Sequence, residues 1–300
     1  MEKELKLQYF ERLIARNYSD LFFIEQFLKG SGNELAKKFW SEKSSSRLCF
    51  DLYSWLCKED GIKNFQFEKH LPGVLVGENK MASPPNMDVF FEKGEDVIFI
   101  ESKYTERSDW KYKNDKLKDG FHLSEAYWGK DGYKSCKLDI GQRFYNNVEI
   151  ANQFSDFCEK IQTAINKYKS DNYKSENVYF QWFDPKQETC HLFGIIFYVI
   201  NNKIKNKNIH LCNNVWKCDN DSFDCMESIV GIFKDKAEMM LNNIFKEQNC
   251  PFVFEVHTIQ DILENGFMGL DFADARLFAM EEECVKNYIF AHYNYKETQR

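Results

Sequence analysis

Asp88, Glu101 and Lys103 lie in the stretch MDVFFEKGEDVIFIESKY, residues 87–104, three charged side chains in what otherwise reads as two apolar strands joined by a charged turn. If the hairpin closes on the four residues Lys93, Gly94, Glu95 and Asp96, Asp88 falls directly opposite Glu101, and Asn86 opposite Lys103. Glu101 and Lys103 are two apart and share a face, and Asp88 joins them from the neighbouring strand with Cβ atoms about 5 Å away. Val97, Ile98, Phe99 and Ile100 are apolar without alternation, the pattern of a strand covered on both faces, so the carboxylates are expected to be desolvated. Two such carboxylates raise each other's pKa unless a cation sits between them, and hard oxygens with room for water suit Mg²⁺ or Mn²⁺. A lysine beside a carboxylate-bound divalent metal is equipment for phosphodiester hydrolysis. The metal lowers the pKa of a water, and the lysine orients that water or stabilises the developing charge. The competing reading is an edge hairpin with a solvated face and one cross-strand ion pair.

The elements that must position these residues follow from hydrophobic periodicity. Residues 3–28 carry Leu5, Phe10, Leu13, Ile14, Leu21, Ile24 and Leu28 at three- and four-residue steps, an amphipathic helix ended by Gly30 and Gly32. Ser44 to Ser46 offer N-caps for a helix with Leu48, Leu52, Trp55 and Leu56 on one stripe. KNFQFEKH alternates as a strand and precedes the hairpin, while residues 104–137, polar and lysine-rich, read as an insertion. A long helix is expected from about Ile140 to Lys169, then strands at NVYFQWF and TCHLFGIIFYVI. A helix at 221–246, a strand at PFVFEVH and a closing helix over FADARLFAMEEECVKNYIF complete an α/β chain with mixed strand directions. The divisions predicted are a helical extension at 1–43, a core at 44–202 and a C-terminal α/β elaboration at 203–300 packed on that core.

Composition bounds the function. With 300 residues and 43% hydrophobic content the chain can bury a sizeable core. A formal charge of −7 argues against a generic cationic coat for nucleic acid, so any such binding needs a local patch or a metal ion. The N-terminus lacks a signal-peptide pattern, and no apolar run reaches the ~20 residues of a membrane span. The ten cysteines are scattered, which fits reduced thiols and a cytoplasmic location.

Asp88, twelve intervening residues, then Glu101, Ser102 and Lys103 after an apolar strand resembles the PD-(D/E)XK nuclease superfamily. The proline of that motif is displaced, since Asn86 and Met87 precede Asp88 and the prolines are Pro84 and Pro85. The resemblance implies a restriction-endonuclease-like αβββαβ core, with a mixed central sheet flanked by helices. It also implies Mg²⁺-dependent cleavage of DNA, endonucleolytic rather than exonucleolytic, with Mn²⁺ as a substitute. Asp88 and Glu101 would bind the metal with the Ser102 backbone carbonyl, and Lys103 would serve the attacking water. NMDVFF, IESKYTE and GQRFYNN are similar to a restriction-endonuclease-like family of prokaryotic defence-type proteins with an ESKxTE motif. By that similarity Gln142 approaches the site, and Asn146, one helical turn later, does likewise by contacting substrate. Glu68 is a candidate extra acid, although an exposed place on an alternating strand is the plainer expectation for it. A homodimer would supply two active sites for two strands, and a defence-system protein would be a partner. The alternative from another class is a catalytically silent nucleic-acid-binding or assembly protein of the same fold.

Two further stretches carry chemistry. The insertion interleaves Arg107, Lys111, Lys113, Lys116 and Lys118 with Tyr104, Trp110 and Tyr112, suited to phosphates and stacked bases, although its own acids halve the effect. Lys111 and Lys113 are the substrate-binding candidates there. HLCNNVWKCDNDSFDC places His210, Cys212, Cys218 and Cys225 within sixteen residues, a zinc candidate without any CxxC pair, to be weighed against scattered thiols.

Overall fold

Ser44 opens the first helix that packs on the central sheet. In the computed structural model, which describes residues 23–27, 39, 44–72, 75–76, 80–81, 85–104, 147–172, 183–217, 227–278, 280 and 282–293, its hydroxyl accepts a 3.1 Å bond from Arg47 N. This N-cap starts α1 (Ser45–Tyr53), as the serine run predicts. β1 (Ile62–His70) follows, then the hairpin of β2 (Asn86–Lys93) and β3 (Asp96–Lys103). Lys93 pairs with Asp96, so the connection is a two-residue turn rather than the four-residue loop expected. Gly94, with φ +59°, takes its first central position, which a Cβ would disfavour. The register is the expected one all the same, with Val89 opposite Ile100 and Phe91 opposite Ile98.

The rest of the chain supplies α2 (Val148–Asn172), α3 (Pro185–Asn201), β4 (Asn208–Val215), α4 (Glu227–Ile244), β5 (Phe252–Thr258), α5 (Ile259–Asn265) and α6 (Val285–Tyr293). The sheet runs β1-β2-β3-β4-β5, antiparallel from β1 to β3 and parallel from β3 to β5. It is a five-stranded mixed sheet flanked by helices, an α/β fold. The sheet continues past residue 202, because β4 pairs along the whole of β3.

Three expectations change. TCHLFGIIFYVI is the body of helix α3, not a strand. Asp184 Oδ1 accepts from Gln187 N at 3.3 Å and Pro185 occupies the first helical position, a start signal outweighed in the sequence by the apolar run. The strand parallel to β3 is Asn208–Val215, a stretch that its polar residues had hidden. The closing helix begins only at Val285, because Ala275 accepts from Val285 N at 2.9 Å and Arg276 bridges Cys284, which holds the preceding segment in a local turn. Of NVYFQWF only Phe183 lies among the described residues, of the N-terminal helix only 23–27, which are helical, and the start of the helix expected from Ile140 lies outside them.

Each sheet face has its own core. Phe90, Phe99, Leu211 and Phe254 pack against α2, α3 and α4, while Val89, Ile98, Ile100 and Cys212 pack with residues of α1, α5 and α6. On the second face a buried network joins α1 to α6: Arg47 contacts Asp51 at 3.4 Å and donates to the Tyr288 hydroxyl at 3.2 Å, and Tyr293 OH donates to Asp51. On the first face Gly194 lets α3 approach the end of β1 closely, since a Cβ there would lie 2.5 Å from Leu71 Cβ. Gly194→Val should therefore lift α3 from the sheet and lower unfolding stability by on the order of 3 kcal/mol. An unchanged urea midpoint would show that this approach does not pin the helix.

Candidate functional site

β2 and β3 stop pairing at the charged residues. The ladder ends at Val89 and Ile100, and one step further Asp88 Oδ2, not a β2 carbonyl, accepts the 2.7 Å bond from Ser102 N. Side-chain alternation also breaks there: Met87 faces the α2–α4 core while Val89 faces the opposite one, although residues two apart in a regular strand share a face. The neighbouring strand breaks at the same level. Glu68 lies between the pairs Phe67–Val89 and Lys69–Met87, which sets it across from Asp88, and its φ is +48°. A non-glycine residue in the left-handed region costs about 1 kcal/mol or more, a cost concentrated at sites with another purpose. Glu68 is buried, contrary to the exposed strand position expected for it.

Three acids thus form a row across the sheet, Glu68, Asp88 and Glu101. Glu101 is 3% exposed and its Oε1 receives two bonds, from Lys103 Nζ at 2.6 Å and from Gln187 Nε2 at 2.7 Å. Lys103 Nζ also reaches Gln187 Oε1 at 3.1 Å, closing a three-membered ring of contacts. Behind it stands a fully buried pair: His191 Nδ1 lies 3.2 Å from Glu188 Oε2, and His191 Nε2 lies 3.8 Å from Glu101 Oε2. Burial works against the His191 imidazolium, but Glu188, through charge and hydrogen bond, and then Glu101 raise its pKa above the usual value. The Cys49 thiol of α1 has its pKa pushed well up by burial and then by the charges of Asp88, Glu68 and Glu101.

Gln187, Glu188 and His191 were not singled out from the sequence. The strand expected there begins at Thr189, so it leaves out Gln187 and Glu188 and holds only His191. Read as a helix, Gln187, His191 and Gly194 fall at steps of four and three on one side. The helix-start pair Asp184–Pro185 was the signal that could have found them. Gln142, Asn146, Lys111 and Lys113 lie outside the described residues, as do Cys218 and Cys225.

The donor set suits a hard divalent cation. Asp88 Oδ1 and Glu101 Oε2 make no hydrogen bond among the described residues, although Glu101 Oε2 has His191 Nε2 at 3.8 Å, while their partner oxygens are already held, so each carboxylate has one oxygen that could turn to an ion. The Asp88 carboxyl is shifted by its surroundings. Burial, then Glu101 and Glu68, raise its pKa well above the usual range despite the opposing effects of Lys103 and of the Ser102 N–H. Glu68 does not complete a tight three-acid cage, since among the described residues three ligand atoms come within 4.8 Å of one another only at Cys212, Glu255 and His257. Glu68 acts on Asp88 by charge.

No family model, no curated protein and no solved structure matches this chain. Among the described residues, no helix is long and apolar enough to cross a membrane.

The raised Asp88 pKa sets a pH dependence. A carboxyl whose folded pKa exceeds its unfolded value, about 3.9, favours folding most when protonated, and that advantage is lost as pH rises from about 4 through the folded pKa. Asp88→Asn keeps an acceptor for Ser102 N and removes the charge. In chelator it should be more stable than the wild type at pH 7, with the gap closing towards pH 4. Chemical denaturation across that range checks this, and a wild type more stable at pH 7 would overturn it.

Proposed function

We propose that this chain is a metal-dependent nuclease that hydrolyses phosphodiester bonds of DNA. The observation that carries the reading is the convergence of Asp88, Glu101 and Lys103 where the β2–β3 ladder opens. The element order supports it: helix α1, three antiparallel strands, helices, then a strand parallel to β3 are compatible with an αβββαβ plan, with two helices where that plan has one.

Asp88 and Glu101 would hold Mg²⁺, with the Ser102 carbonyl as a further ligand and Mn²⁺ as a substitute. When bound, the ion supplies Lewis acidity and lowers the pKa of a coordinated water. The chain's own groups do the rest. Lys103 Nζ, fixed by Glu101 and Gln187, orients the attacking water or meets the charge that develops on the phosphate. The Gln187 amide bridges acid and lysine. His191, held by Glu188, stands behind the second oxygen of Glu101 and limits where that carboxylate can turn. The lysines and aromatics of the 104–137 insertion would supply contacts to phosphates and bases, and a homodimer would bring two such sites to a duplex.

One observation favours the second reading, a catalytically silent nucleic-acid-binding or assembly protein. Glu101 Oε1 is closed by Lys103 and Gln187, an arrangement complete without an ion. Activity and metal binding separate the two. With linear, circular and single-stranded DNA plus Mg²⁺ or Mn²⁺, the wild type should cleave, Lys103→Ala should lose about a hundredfold or more, and Gln187→Ala should fall between. Calorimetry should show Mn²⁺ binding that Asp88→Asn abolishes. Equal cleavage by wild type and Lys103→Ala would sink the assignment, and absence of both cleavage and Mn²⁺ binding would leave the silent reading.

A further inference from the structure

On the opposite face of the sheet, β4 and β5 bring three different metal-ligating groups together. The parallel register pairs Cys212 with Glu255, and His257, two residues beyond Glu255, lies on the same face. Cys212 Sγ is 3.6 Å from Glu255 Oε2, and His257 Nε2 is 3.8 Å from Glu255 Oε1. One donor atom from each of the three falls within 4.8 Å of the other two. Bond lengths of about 2.0–2.3 Å around a tetrahedral ion put its donors roughly 3.3–3.8 Å apart, so side-chain adjustments of about an ångström would close the set.

Two features distinguish this cluster from an ordinary strand surface. His257 Nε2 is shielded from solvent yet makes no hydrogen bond, although an imidazole nitrogen in such a place is normally satisfied. Its ring is also held, edge-on against Phe267 with centroids 5.1 Å apart. Glu255 is fixed in turn by His210, whose Nδ1 is 3.2 Å from Glu255 Oε2 while its Nε2 is 3.2 Å from Asp96 Oδ1. A carboxylate ligand oriented by a neighbouring imidazole is the kind of support that metal sites need.

We propose that Cys212, Glu255 and His257 bind a divalent cation of the zinc type, with water in the fourth position and His210 positioning Glu255. Thiolate and imidazole together select a borderline-soft ion over Mg²⁺, which keeps this site chemically separate from the all-oxygen site at Asp88 and Glu101. Its place explains its use. β5 is an edge strand of the sheet, and an ion shared by Cys212 of β4 and two residues of β5 clamps that edge. The ligands differ from those the sequence suggested: His210 becomes a positioning residue, Cys212 stays, and Glu255 and His257 come from another strand.

The test uses the purified full-length chain, Zn²⁺ or Co²⁺ alone, and Mg²⁺ as the control ion. The wild type should bind one equivalent of Zn²⁺, show a thiolate-to-cobalt absorption band with Co²⁺, and melt at a higher temperature when Zn²⁺ is added. Cys212→Ser should abolish the band. His257→Gln, at a side chain that is 27% exposed and with its fold checked by an unchanged melting temperature without metal, should remove the Zn²⁺-dependent rise in melting temperature, and His210→Gln should weaken binding about ten- to a hundredfold. Asp88→Asn should bind Zn²⁺ as the wild type does. No binding by the wild type overturns the proposal, as does binding that survives both Cys212→Ser and His257→Gln. Loss of binding in Cys218→Ser or Cys225→Ser, with Cys212→Ser unaffected, would move the site to the cysteines suggested by sequence and overturn it equally.

Discussion

The bond from Ser102 N to the Asp88 carboxylate is the constraint around which the site is built. A backbone donor that would otherwise continue the β2–β3 ladder is taken by a side chain, so the strands part while the donor stays satisfied. A charge-assisted bond of this kind is stronger than the neutral one it replaces. It also fixes a carboxylate beside Glu68 and Glu101, and the accumulated negative charge works against folding. Lys103 offsets part of that charge, and the remainder is what a bound cation would neutralise.

Tolerating such a cluster requires rigid surroundings. The face behind Val89 and Ile100 carries a packed group of rings in which Phe50 and Phe67 contact Phe23 and Phe27, with centroid separations of 5.1–6.2 Å. The other face is closed by α3, held near β1 at Gly194 and carrying Gln187 and His191 to Glu101. The sheet thereby separates two chemistries. Hard oxygen donors gather at the open end of β3, and on the opposite face sulfur, nitrogen and oxygen donors meet across β4 and β5.

Much of the first site was legible because its residues are close in sequence. A hairpin of two apolar strands admits few registers, so Asp88, Glu101 and Lys103 could be placed relative to one another before any tertiary contact was known. The alternation of KNFQFEKH and the Ser44 cap were local signals of the same kind. Glu68 escaped this reasoning, because alternation predicts exposure and only the irregularity shared with Asp88 turns it inward. TCHLFGIIFYVI escaped it as well, since an unbroken apolar run is compatible with a buried strand or a buried helix and periodicity alone cannot arbitrate.

The sequence by itself determined the hairpin, its register, the three charged residues within it and the alternation of helices and strands over most of the described chain, since each depends on interactions a few residues apart. Tertiary structure alone decided that Gln187 and His191 serve Glu101 from 86 and 90 positions away, and that Cys212 meets Glu255 rather than the neighbouring cysteines. Those pairings depend on which strand lies beside which and on how closely a helix can approach, and both are set by packing across the whole sheet.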